Sequence, residues 1–117
     1  MFYTWGANSY GQLGLGYVSE QEVTPRQVPV TQKFVKIAGG GGHTLAVDNE
    51  GGTLFVCGWN RFGQLGLGHC TDVNSFTRTE ISDVTDISGG WDFSLVLRNN
   101  GTVLAAGSNK FLQLGKE

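Results

Sequence analysis

The sequence predicts an all-β fold built from propeller blades. One unit of about fifty residues recurs along the chain, which is a period typical of propellers. Nineteen of the 117 residues are glycine, and they stand at fixed places among β-branched and aromatic residues. Such a distribution indicates short strands joined by tight turns. No stretch long enough for a helix shows the roughly 3.6-residue period of an amphipathic helix.

The first repeated motif is a glycine-rich turn. Its copies read WGANSYGQLGLG at residues 5–16, CGWNRFGQLGLG at residues 57–68 and AGSNKFLQLG at residues 106–115. We expect a tight turn that points Leu13 and Leu15 into the core. It is not a dinucleotide-binding fingerprint, because the glycines stand in a different order and no helix follows to face a pyrophosphate.

The second repeated motif is a strand, a glycine-containing turn and another strand. Its copies read IAGGGGHTLAV at residues 37–47 and ISGGWDFSLVL at residues 87–97. A hairpin turn follows each copy, at residues 48–52 and around Asn100 and Gly101. Asn-Gly is a strong hairpin signal because both positions tolerate positive φ.

These motifs predict one propeller segment over residues 1–117. Residues 34–58 and 84–107 are expected to form matching strand-turn-strand-turn-strand units. The polar connections, residues 17–33 and 69–83, each have room for a long loop and an outer edge strand. One such sheet cannot bury both of its faces, whereas blades stacked around an axis can.

In combination, the motifs resemble the repeat of the regulator of chromosome condensation family. Its signature is Asn before Gly-Gln-Leu-Gly, followed by Ile-x-x-Gly-x-x-His-[Ser/Thr], and the resemblance covers essentially the whole chain. It implies a seven-bladed propeller, of which this chain supplies about two blades. The chain is then a fragment, a truncated isoform, or a chain that associates to complete a ring. Uncovered blade faces at both ends predict self-association if the chain is on its own.

The resemblance also implies a function. It indicates a protein-interaction propeller within a guanine nucleotide exchange factor for a small GTPase, and the motifs are most similar to a branch of the family that regulates secretion. An exchange factor weakens nucleotide binding through loops and surface charge, so it needs no catalytic acid, base or nucleophile. The alternative is a scaffold or adaptor without exchange activity. A hydrolytic or sugar-binding propeller would need clustered carboxylates or repeated stacking aromatics, and the sequence shows neither.

The candidate partner-binding site is the turn at Trp91 and Asp92. In the first copy Gly41 and Gly42 occupy these positions, so the turn itself does not require an aromatic and a carboxylate. An exposed aromatic beside a charge is typical of a binding hot spot. In the resembling family this turn faces the GTPase, which implies Gly41, Gly42, Trp91 and Asp92 as partner-binding residues. The alternative is a tryptophan packed over the neighbouring blade, with Asp92 capping turn amides.

No catalytic residue, metal site or cofactor is predicted. The two histidines are His43 and His69, whereas a zinc site needs three or four ligands at short spacing. His43 aligns with Phe93 in the next copy, which favours a packed, hydrogen-bonded core histidine. Cys57 lies in an apolar strand and is expected to be a buried free thiol, while Cys70 lies in a polar loop.

The alignment of the repeats predicts the environment of two tryptophans. Trp5 aligns with Cys57 and is therefore expected in the core. Trp59 aligns with Ala7 and Ser108, both small, and is expected to be partly exposed at a blade end.

Composition limits the partners. The net charge of −2 and the 15% of charged residues do not provide a polybasic surface for nucleic acid or anionic lipid. The apolar runs are too short to insert into a membrane, and no secretory signal opens the chain. Two cysteines do not form a disulfide scaffold. We therefore expect a cytoplasmic or nuclear protein that binds another protein.

Overall fold

The all-β fold is confirmed by the computed structural model, which describes residues 2–68 and 70–107. The strands are β1 (Tyr3–Ala7), β2 (Gln21–Gln27), β3 (Phe34–Gly39), β4 (His43–Asp48), β5 (Leu54–Gly58), β6 (Val73–Arg78), β7 (Val84–Gly89), β8 (Phe93–Arg98) and β9 (Val103–Gly107). They form antiparallel sheets ordered β1-β2, β3-β4-β5-β6 and β7-β8-β9. Within the described ranges, no helix has the length and apolarity needed to cross a membrane. His69 and most of the third glycine-rich motif, residues 108–115, lie outside these ranges.

The hairpin between β4 and β5 shows how the sequence sets each turn. The Asp48 carboxylate accepts backbone N–H bonds from Glu50 at 3.2 Å and from Thr53 at 2.8 Å, which fixes the loop. Gly51 and Gly52 adopt φ values of +77° and +63°, a region that side chains rarely tolerate. The residue types at the ends and at the tip of the hairpin therefore determine its turn.

The two copies of the sequence repeat pair their strands in the same register. His43 pairs with Gly58 and Thr44 with Cys57 across β4 and β5. One repeat later, Phe93 pairs with Gly107 and Ser94 with Ala106 across β8 and β9. Aligned positions thus face each other in both sheets.

The glycine-rich motif forms a loop closed by its own asparagine. The Asn8 Oδ1 atom accepts the backbone N–H of Leu13 at 3.2 Å, and Asn60 accepts that of Leu65 at 3.0 Å. Leu13 and Leu15 are buried in the core, as predicted. The amide side chain replaces backbone partners that the loop lacks, which lets the chain turn sharply while its leucines point inward.

The sheets stack face to face and enclose two apolar clusters, because β4 and β5 are buried on both faces. The cluster between the first and second sheets contains Leu13, Leu15, Val28, Ala46, Phe55, Cys57 and Phe76. The cluster between the second and third sheets contains Leu45, Val47, Leu54, Val56, Leu65, Val84 and Val96. Alternate residues of β4 and β5 serve the two clusters, as the two-residue period of a strand requires. The second sheet is thus the central blade of the segment.

Trp5 is not in the core, so that prediction is wrong. Its side chain is 60% exposed, whereas the aligned Cys57 is fully buried. Cys57 is covered because the glycine-rich loop of the preceding blade lies against it, with its Sγ 3.4 Å from the carbonyl oxygen of Gln12. Among the described residues no such loop covers Trp5. At the aligned positions of Trp5 and Cys57, burial therefore depends on whether a neighbouring blade covers the side chain, not on the residue type.

Candidate partner-binding site

The candidate site is formed by two equivalent turns, one between β3 and β4 and one between β7 and β8. Each turn is closed by the same backbone bond: Gly40 N–H donates to the His43 carbonyl at 2.8 Å, and Gly90 N–H donates to the Phe93 carbonyl at 2.9 Å. The two turns therefore share one geometry, although one contains glycines where the other contains Trp91 and Asp92.

The two turns contact each other across the blade boundary. The Gly41 N–H lies 3.2 Å from the carbonyl oxygen of Gly90 and 3.1 Å from that of Trp91. A Cβ on Gly41 would lie 2.7 Å from ring atoms of Trp91, closer than real Cβ contacts allow. Gly41 therefore provides the space in which the ring of Trp91 rests.

The four predicted residues lie in different environments. Trp91 is 72% exposed, although one side of its ring contacts Gly41. Trp91 is therefore exposed to solvent and also packs over the neighbouring blade, which was the alternative considered from the sequence. Asp92 follows Trp91 in the same turn and is half-buried. Gly42 is buried, and a Cβ there would lie 2.8 Å from the ring of Tyr10, so Gly42 supports this surface from below.

An aromatic cluster borders the turn, and sequence reasoning identified only part of it. Tyr10 and Trp59 stack with ring centroids 5.2 Å apart, and Phe62 packs edge-on against Trp59 at 5.6 Å. Trp59 is half-buried, as predicted, and its backbone N–H donates to the Gly42 carbonyl at 2.8 Å. Tyr10 and Phe62 occupy the same column of the glycine-rich motif, and this shared position was the signal that could have found them.

His43 lies beneath the site and joins the second blade to the third. It is 1% exposed, and its Nε2 atom lies 3.1 Å from the carbonyl oxygen of Phe93. Because a carbonyl only accepts, Nε2 carries the proton and donates. Burial lowers the pKa of His43, and the Phe93 carbonyl and the Asp92 charge oppose that shift. The prediction of a packed, hydrogen-bonded core histidine is confirmed.

The groups exposed at this surface are suited to binding. Within the described residues no three His, Cys, Asp or Glu side chains lie close enough to hold a metal ion. Cys57 is a buried free thiol, as predicted, and burial raises its pKa far above the usual range, so it is a poor nucleophile. The surface instead offers aromatic area beside one carboxylate.

The repeat identifies the family. The regulator of chromosome condensation (RCC1) repeat model matches residues 2–47 and 51–97, and a second model with the same description matches residues 34–64 and 84–113. The chain belongs to the RCC1 repeat family. Its sheets are blades of the β-propeller that RCC1 repeats form, and the described part covers about two of them.

Curated relatives of this chain have different names. The secretion-regulating guanine nucleotide exchange factor of Bos taurus is 47% identical over 97% of this chain. The ultraviolet-B receptor UVR8 of Arabidopsis thaliana is 36% identical over 97% of the chain. The chain spans only 25% of the first relative and 26% of the second.

A solved structure supports the fold. The crystal structure of Prp20p from Saccharomyces cerevisiae, described together with its binding to Gsp1p and histones, superposes with a TM-score of 0.77. The alignment covers 90% of this chain and 28% of Prp20p at 22% identity. At that identity the likeness establishes the propeller fold alone.

Proposed function

We propose that these RCC1 blades belong to a guanine nucleotide exchange factor and that Trp91 and Asp92 contact a small GTPase. The observation that carries the proposal is the exposure of Trp91, which is 72% accessible while its ring rests on Gly41. An aromatic side chain already packed on one side loses little conformational freedom when a partner binds. Exposed aromatics of this kind are frequent hot spots.

The relatives support the choice of partner. The Bos taurus relative is named as an exchange factor that regulates secretion, and Prp20p is described by its binding to Gsp1p. By analogy we propose a small GTPase as the partner, a role in secretion, and action in the cytoplasm and nucleus. Asp92 would act as surface charge beside Trp91, competing with the contacts that hold the nucleotide's phosphates and magnesium.

A binding scaffold without exchange activity is the second candidate. The relative UVR8 is named a receptor although it is 36% identical to this chain, so the RCC1 repeat alone does not specify exchange. Under this alternative the same surface binds a partner without releasing its nucleotide.

Nucleotide release from small GTPases tests the proposal. GTPases loaded with a fluorescent nucleotide are mixed with the protein, and release is followed with Trp91→Gly, Asp92→Gly and the control Trp5→Ala. Trp5 is a matched control because it is also largely exposed but lies on β1 in the first sheet, whereas the turn joins two strands of the third sheet. We expect faster release from at least one GTPase, reduced by the two turn variants and unchanged by the control. Binding without release would favour the scaffold, and equal release by all variants would remove Trp91 and Asp92 from the site.

A further inference from the structure

Asn100 lies at the tip of the hairpin between β8 and β9, and a glycine follows it. Every other asparagine of the sequence precedes a residue with a side chain. This difference matters because the backbone nitrogen of the next residue can attack the side-chain carbonyl carbon, Cγ, of an asparagine. A side chain on that next residue hinders the attack, and Gly101 has none. Asn100 is therefore the asparagine of this sequence at which the reaction is least hindered.

The surroundings of Asn100 leave room for a ring to form. A Cβ on Gly101 would meet nothing within 4 Å. The neighbouring Asn99 and Thr102 are exposed, as are Asn100 and Gly101 themselves. Water therefore reaches both atoms that would bond, the Gly101 nitrogen and the Asn100 Cγ.

The hairpin also places a hydrogen-bond donor at the reacting carbonyl. The backbone N–H of Thr102 donates to the Asn100 Oδ1 atom at 2.9 Å. Negative charge develops on Oδ1 when the Gly101 nitrogen adds to Cγ, and a donor already placed there stabilises it. The Gly101 N–H donates to the Arg98 carbonyl at 3.0 Å and must first leave that bond. Because the bond lies in an exposed turn, its opening costs little.

The exposure of Asn100 does not depend on whether a further blade follows. Glu50 occupies the aligned position in the hairpin between β4 and β5, and there the next blade is in place. That blade contacts the hairpin through the Asp83 N–H, which donates to the Gly51 carbonyl at 2.9 Å. Glu50 nevertheless remains exposed. The contact between blades thus leaves this position of the turn open to water.

We propose that Asn100 is a site of spontaneous deamidation in the folded protein. The Gly101 nitrogen bonds to the Asn100 Cγ and gives its proton to water, and the side-chain nitrogen leaves as ammonia. The product is a cyclic imide. Water then opens the imide at either carbonyl, which yields aspartate or isoaspartate, and water is the only co-reactant. In both products a carboxylate replaces the neutral amide.

The two products affect the hairpin differently. Aspartate keeps the length of the main chain, so the turn is retained. Isoaspartate routes the main chain through Cγ and adds a methylene group inside the turn. The Arg98 N–H closes this turn by donating to the Thr102 carbonyl at 2.9 Å. We therefore expect isoaspartate, but not aspartate, to weaken that closing bond.

Incubation of the folded 117-residue chain at mildly alkaline pH tests the proposal. Peptide mass spectrometry follows deamidation at each asparagine, and chromatography separates the aspartyl and isoaspartyl products. Asn99 and Asn49 are internal controls because both are exposed in equivalent hairpin turns but precede residues with side chains. We expect deamidation at least about tenfold faster at Asn100 than at either control, with both products formed. Equal rates, or conversion of Asn100 only after unfolding in urea, would overturn the proposal.

Variants give an independent measurement. Asn100→Gln keeps the amide but requires a larger ring, so the acidic forms that appear in native protein on isoelectric focusing should be lost. Asn99→Gln is the matched control and should leave them unchanged. Asn100→Asp reproduces one product, and its Arg98 amide should exchange hydrogen more slowly than that of the isoaspartyl form. Acidic forms that accumulate in Asn100→Gln at the native rate would place the reaction at another residue.

Discussion

The Ser94 hydroxyl donates a hydrogen bond of 2.5 Å to the backbone carbonyl of Gln64 in the preceding blade. One repeat earlier, the Thr44 hydroxyl donates to the carbonyl of Gln12 at 2.7 Å. The Ser/Thr of one motif is therefore tied to the Gln of the other motif across each blade boundary. Two sequence signatures that recur in a fixed order are linked because they bond to each other.

Removing these hydroxyls should weaken blade stacking. Ser94 is buried, so Ser94→Ala leaves the Gln64 carbonyl without its partner and should lower the free energy of unfolding by about 1–3 kcal/mol. Thr44→Ala should cost somewhat less because Thr44 is half-buried. Urea denaturation measures both. The control is Thr85→Ala, whose exposed hydroxyl donates to the Leu97 carbonyl at 3.2 Å and should change stability by under about 0.5 kcal/mol. A loss as large for Thr85 would contradict the interblade explanation.

The fold was predictable because the repeat is carried by local residue patterns. Asn-Gly turns, positive-φ glycines and alternating strands act within a few residues of each other, so the sequence displays them directly. The exposure of Trp5 was not predictable in this way. It depends on which loop lies against its column, and that contact joins residues one whole repeat apart, as Cys57 and Gln12 show.

The candidate site was predictable only in part for the same reason. The exchange of two glycines for Trp91 and Asp92 is visible in the alignment of the repeats. The resting of Trp91 on Gly41 and the burial of Gly42 under Tyr10 arise from contacts between blades, for which one repeat alone carries no signal.

The blade boundary should lose stability as the pH falls. Burial lowers the pKa of His43 from an ordinary value of 6.5, so the unfolded chain binds a proton that the folded chain resists. The stabilising contribution of neutral His43 is complete above about pH 6.5 and is lost as the pH falls from there through the folded-state pKa.

His43→Phe isolates this effect, because Phe93 occupies the aligned position and shows that the column accepts the ring. Urea denaturation between about pH 7.5 and pH 5 should give the native chain a steeper loss of stability than the variant. His69 is common to both proteins, so it does not distinguish them. Parallel curves would show that His43 is not the titrating group.

Gly41 should be intolerant of a side chain, although it lies in a turn at the surface. A Cβ at this position would approach both the ring and the carbonyl oxygen of Trp91. Gly41→Ala should therefore lower the free energy of unfolding by about 1–3 kcal/mol and shift the fluorescence of Trp91. Gly39→Ala is the matched control, since nothing lies within 4 Å of a Cβ there and its φ is not positive. Similar losses at both glycines would indicate a backbone effect unrelated to Trp91.

Trp91 and Asp92 should affect partner binding more than folding. Trp91→Gly and Asp92→Gly copy the turn of the preceding blade, whose closing hydrogen bond has the same geometry, and Trp91 is largely exposed. Each substitution should weaken binding of the small GTPase by about 1–3 kcal/mol, the usual range for a central aromatic or charged contact. Titration of the GTPase together with thermal unfolding of the same samples separates the two effects. If the melting temperature falls sharply while the affinity per folded molecule stays the same, Trp91 packs the blade boundary at Gly41 and does not contact the partner.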